Sequence, residues 1–70
     1  MTIKVNGESQ HVESGTTVGQ LLVINEVAQP DMVSVQLNGE FLDRNRFPDT
    51  LLKEGDEVDF LYFMGGGDVL

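Results

Sequence analysis

The stretch of this sequence best suited to chemistry is Phe63-Met64-Gly65-Gly66-Gly67-Asp68-Val69-Leu70, in which three glycines follow an apolar run. Glycine loses more backbone entropy on ordering than any other residue, so a strand that runs into Gly-Gly-Gly is expected to stop at Met64. Extended, three residues span about 10 Å, and without β-carbons they pass through a channel that a side chain would block. A glycine-rich end on an arbitrary chain reads as fraying. The body that carries it decides between slack and a working arm.

Other constellations carry less. Glu54, Asp56, Glu57 and Asp59 are close in sequence, but they lack the twelve-residue oxygen spacing, central glycine and final glutamate of a calcium loop, and read as a solvated turn and strand face. His11 has no cysteine, second histidine or nucleophile patterned with it and reads as an exposed strand residue. Gly65-Gly66-Gly67-Asp68 lacks the Gly-Lys-Ser/Thr ending and the following helix of a phosphate loop. Lys4, Arg44, Arg46 and Lys53 are too few and scattered for an anion site. No metal site is expected.

The composition narrows the partners. Twelve acidic residues against four basic ones give a formal net charge of −8, which opposes the phosphate neutralisation behind nucleic-acid binding. Nucleic acid and membranes are therefore not expected as partners, whereas a basic patch on another protein would be met faster. There is no cysteine, hence no disulfide or thiolate ligand. Met1 leads directly into a strand pattern, so no signal peptide is expected, and no apolar run approaches the roughly 20 residues of a membrane helix. A cytoplasmic location and a monomer in isolation are the expectations. Seventy residues suffice for one domain with one small core.

The elements that must position the glycines are legible. Thr2 to Asn6 alternates polar and apolar, Asn6-Gly7 is a strong hairpin signal, and Gln10 to Glu13 returns as a second strand, with Ile3, Val5 and Val12 facing inward. Thr17-x-x-Gln20 reads as a capping box opening a helix over 17–27, with Val18, Leu21, Leu22 and either Val27 or Ala28 on its apolar face and Pro30 beyond its end. Val33, Val35 and Leu37 alternate with polar residues, and Asn38-Gly39 turns the chain into a short strand at Glu40-Phe41-Leu42. Phe47 to Leu52 is expected as a helical turn plugging the sheet edge, Lys53-Glu54-Gly55-Asp56 as a tight turn, and Glu57 to Met64 as the last strand. The order ββαββ, turn, β predicts an α+β roll, a mixed sheet of four to five strands around one helix.

This order, the length, the turn Glu54-Gly55-Asp56-Glu57-Val58 and the run Phe63-Met64-Gly65-Gly66-Gly67 together resemble the ubiquitin-like sulfur carriers of the thiamine-pathway (ThiS) and molybdopterin-pathway (MoaD) type, the length and the Gly-Gly-Gly favouring the former. The resemblance covers the whole chain. It implies a β-grasp domain over 1–64 with a flexible glycine-rich tail over 65–70. It further implies a non-enzymatic carrier whose Gly67 carboxylate is adenylated by a ubiquitin-activating-type partner using ATP and Mg²⁺. Sulfur then converts it to a thiocarboxylate, which supplies a synthase such as thiazole synthase. Gly65 and Gly66 would thread into the partner, and the carrier would bind no cofactor of its own. The receiving pathway, whether thiamine, cysteine, methionine, molybdopterin or another, is left open.

One departure matters. The carriers this chain resembles work with a free terminal Gly-Gly carboxylate, whereas Asp68, Val69 and Leu70 follow Gly67 here. Relatives with short extensions imply a metalloprotease of the JAMM kind cutting between Gly67 and Asp68.

The last strand suggests a second site. With Val58, Phe60 and Tyr62 turned to the core, period-two alternation sends Asp59, Leu61 and Phe63 outward, where Leu61 and Phe63 would make a docking patch beside the tail. The opposite register would put both in the core. Two other functional classes also remain: a ubiquitin-like modifier joined through Gly67 to a lysine of a target, and a β-grasp binding domain whose tail is inert.

Overall fold

A computed structural model describes residues 1–27 and 32–62, and it has the expected α+β roll. Five strands, β1 (Thr2–Val5), β2 (Glu8–His11), β3 (Val33–Leu37), β4 (Glu40–Leu42) and β5 (Glu57–Tyr62), form one sheet in the order β2-β1-β5-β3-β4. Only β1 and β5 are parallel, and the other three pairings are antiparallel, so the sheet is mixed. The helix α1 (Val18–Ile24) and a 3₁₀ turn (Arg44–Asp49) follow β2 and β4 in the chain. No helix among the described residues is long and apolar enough to cross a membrane.

Both Asn-Gly pairs make the hairpin turns expected of them. Asn6 and Asn38 have φ of 53°, followed by Gly7 at 85° and Gly39 at 86°. These left-handed conformations match the strand twist, and asparagine and glycine adopt them at least cost. The register follows: Val5 faces Glu8 across the first turn and Leu37 faces Glu40 across the second. The second strand therefore begins at Glu8 rather than at Gln10, and Val12, still buried, lies just past its end.

The capping box is present at α1: the Thr17 side chain accepts from the Gln20 N–H at 3.1 Å, and the Gln20 side chain accepts from the Thr17 N–H at 3.0 Å. Val18, Leu21 and Leu22 are buried. The helix stops at Ile24 instead of reaching residue 27, because Glu26 turns to φ 55° and the N–H groups of Glu26 and Val27 fold back onto the carbonyls of Val23 and Leu22. That closes the last turn in the way a C-terminal glycine usually does. Val27 packs on the core; Ala28 lies outside the described residues.

The helical turn after β4 comes earlier than expected, at Arg44–Asp49 rather than 47–52. Its Phe47 is buried against α1, where the backbone of Phe47 lies 3.5 Å from the position a β-carbon on Gly19 would take. Leu51 is extended, bridged to Thr17 and exposed, while Leu52 enters the core. Ile3, Val18, Leu21, Val33, Val35 and Val58 are each at most 1% exposed and form the centre of the domain. Burying one such side chain contributes about 1.5–3 kcal/mol relative to leaving it in water.

Candidate functional site

The strand β5 carries the chain toward the glycines and lies between β1 and β3. Both hairpin turns grip it. The Asn38 N–H donates to the Glu57 carbonyl at 2.7 Å, and the Asn38 Oδ1 accepts from the Glu57 N–H at 2.9 Å. Asn6 does the same one turn of pleat further on, its N–H donating to the Val58 carbonyl at 2.9 Å and its Oδ1 accepting from the Phe60 N–H at 2.8 Å. The turn leading into β5 is fixed as well: Asp56 accepts from the Lys53 N–H at 2.8 Å and from the Asn38 Nδ2 at 3.1 Å. Sequence reading identified both Asn-Gly turns but not these side-chain bonds. Their signal is the asparagine itself, whose short amide reaches a neighbouring backbone that glycine would leave unbonded.

The burial along β5 shows which way its side chains face. Val58 and Phe60 are buried, as expected. Leu61 is 42% exposed and Asp59 half-buried on the opposite face, so the outward register holds for both. Tyr62 is a correction. It shares the inward parity of Phe60 yet is 51% exposed. The reason is that β1 pairs with β5 only through Lys4↔Glu57 and Val5↔Val58, so among the described residues Tyr62 has β3 beside it and no strand on its other side. Phe63, Gly65, Gly66, Gly67 and Asp68 lie outside the described residues.

The open face of the sheet adds one residue that sequence reasoning missed. Asp59 faces Gln36 on β3, and Gln36 faces Phe41 on β4, so Phe41, 68% exposed, shares a face with Leu61. At about 4.8 Å per strand, Phe41 stands about 10 Å to the side of Asp59. Apolar Leu61 and Phe41 thus flank the polar pair Gln36 and Asp59. A three-residue strand has too few residues to show alternation, and only pairing with β3 assigns Phe41 to this face. His11 lies on the same face at the far edge, exposed, with its Nδ1 3.2 Å from the Thr2 Oγ1. Among the described residues, no group of three histidine or acidic side chains is placed to hold a metal ion.

The model of the ThiS family matches residues 3–67, a span that includes all three glycines. The crystal structure of a thiamine biosynthesis protein (ThiS) from Geobacter metallireducens is 48% identical and superposes with a TM-score of 0.86, covering 96% of this chain and all of that one. A solution structure of a thiamine biosynthesis protein from the same organism is 46% identical with a TM-score of 0.78, covering 100% of this chain and 92% of that one. SAMP1 from Haloferax volcanii shares the fold, at 21% identity and a TM-score of 0.60 over 94% of this chain and 97% of that one. A thiazole synthase of Magnetococcus marinus is 36% identical over 67 residues, which is 96% of this chain but only 20% of that protein. This chain therefore spans about a fifth of the length of that curated relative.

Proposed function

The chain belongs to the ThiS family, and from that premise we propose that it is a sulfur carrier of thiamine biosynthesis, working from its glycine arm and catalysing nothing itself. The observation that carries this reading is the match through Gly67 on a body 48% identical to a ThiS protein over nearly its full length. The similarity of this chain to one-fifth of a thiazole synthase supports a thiazole synthase as the protein that receives the sulfur, since segments joined in one chain tend to serve one reaction.

In this reading the Gly67 carboxylate attacks the α-phosphate of ATP held with Mg²⁺ in an adenylating partner, and pyrophosphate leaves. Hydrosulfide then attacks the acyl carbon, AMP leaves and the sulfur gives up its proton, so the carboxylate becomes a thiocarboxylate. The carrier contributes reach: Gly65 and Gly66 pass through a channel too narrow for side chains, while Asp59, Leu61 and Phe63 dock the body outside it. Because Asp68, Val69 and Leu70 follow Gly67, a peptidase, of the JAMM metalloprotease type, first hydrolyses the Gly67–Asp68 bond. The chemistry belongs in the cytoplasm, where ATP is supplied.

Intact-mass spectrometry tests this reading directly. A form ending at Gly67, incubated with a ubiquitin-activating-type enzyme, ATP, Mg²⁺ and a sulfur donor, is expected to gain the mass of sulfur in place of oxygen, and a form continuing past Gly67 is expected not to. Covalent conjugates with other proteins in place of that gain would make the chain a modifier. No change in the form ending at Gly67 would leave the glycine arm without its proposed role.

A further inference from the structure

The bonding of β5 alternates. The N–H and carbonyl of Glu57 point to the β3 side, where Asn38 meets them, while the Asp56 and Val58 carbonyls and the Phe60 N–H point to the β1 side, where Lys4 and Asn6 meet them. Continuing that alternation, the Phe60 carbonyl and the Tyr62 N–H also point to the β1 side. There β1 has ended, and its chain has turned away through Asn6 and Gly7. The Asn6 side chain caps the Phe60 N–H and nothing further: among the described residues no hydrogen bond reaches the Phe60 carbonyl or the Tyr62 N–H. The last stretch of β5 is thus an edge strand on one side within an otherwise interior strand. Leu61 and Tyr62 are exposed on its two faces.

We infer that this half-edge is a strand-addition site, on which an extended segment of the adenylating partner pairs with the Phe60 carbonyl and the Tyr62 N–H and covers Tyr62. This rests on the carrier reading and deepens it. The occupant follows from position and charge. The edge belongs to the residues that lead into the glycine arm, so whatever receives the arm passes alongside it. Backbone pairing would hold this stretch extended for entry. The chain carries a formal net charge of −8, so the added segment is basic or neutral rather than acidic. A second copy of this chain would bring another −8 to the same place.

The test removes one hydrogen. In Tyr62→Pro the missing N–H is the one facing the open edge, so the ladder to β3 survives, as proline is tolerated where an edge N–H faces solvent. Tyr62→Ala isolates the contribution of the side chain. The expected result is a folded Tyr62→Pro chain that binds the adenylating enzyme of the same cell at least about tenfold more weakly than Tyr62→Ala, the proline removing the N–H and fixing φ at that one residue. Independently of any variant, hydrogen exchange of the Tyr62 amide in the full chain is expected to slow at least about tenfold when that enzyme is added. An amide that exchanges equally fast in the complex overturns the inference. So does Tyr62→Pro binding as Tyr62→Ala does, or protection that appears in the free chain together with a dimeric mass. If Gly67 of the form ending there, with no other change, is still converted in those cases, the carrier reading stands without the strand. If Gly67 is never converted, the carrier reading falls, and this inference falls with it.

Discussion

The two halves of β5 are built differently. From Glu57 to Phe60 the strand is held on both sides, by β1 and β3 and by the amides of Asn6 and Asn38, and Val58 and Phe60 are buried. At Leu61 and Tyr62 it keeps only β3 among the described residues, and both side chains are exposed. One strand thus passes from anchor to open edge within six residues. The firm half fixes the position of the strand's end, and the open half leaves backbone and apolar surface that no other described residue covers. In the proposed carrier reading, a tail entering an active site needs both, since a loose root would spread the position of Gly67 and a fully paired one would leave nothing to dock.

Substitutions that respect or cross this division sharpen it. The largest effect is expected at Phe60→Ala, which should cost about 3–5 kcal/mol in a denaturant titration, enough to threaten a domain of this size. Asn6→Ala should follow at about 2–3 kcal/mol. It strands the partly buried Phe60 N–H and puts alanine, which tolerates the left-handed region less well than asparagine, at φ 53°, whereas Asn6→Gly should lose only the hydrogen bond, about 1–2 kcal/mol. Across the division, Leu61→Glu should shift stability by less than about 0.5 kcal/mol while weakening binding to the adenylating partner by more than about 1 kcal/mol. If Leu61→Glu melts the domain as Phe60→Ala does, the two halves are not distinct. Smallest of all, removing residues 65–70 should leave the melting curve within about 0.5 kcal/mol of the parent. A large loss there would make the glycine segment structural.

Local signals were read correctly wherever they are self-contained. The capping box of Thr17 and Gln20, the two Asn-Gly turns and the inward alternation of Ile3, Val5, Val33 and Val35 each depend on residues within a few positions of one another. Boundaries were read less well where tertiary contacts compete with propensity. The helix ends at Ile24 because Glu26 adopts a conformation usually left to glycine, and the 3₁₀ turn starts at Arg44 so that Phe47 meets the close face of Gly19.

What the sequence determined by itself is therefore the set of elements, their order and the glycine run, since turn chemistry and hydrophobic period act over short stretches of chain. Only the tertiary structure decided which strands became neighbours, and that choice exposed Tyr62, brought Phe41 onto the face of Leu61 and set Asn6 against Phe60, 54 residues away. Alternation assigns a side chain to one of two faces, but whether that face is covered depends on how far the adjacent strand runs. The length of β1, which stops at Val5 opposite Val58, is what leaves the end of β5 open.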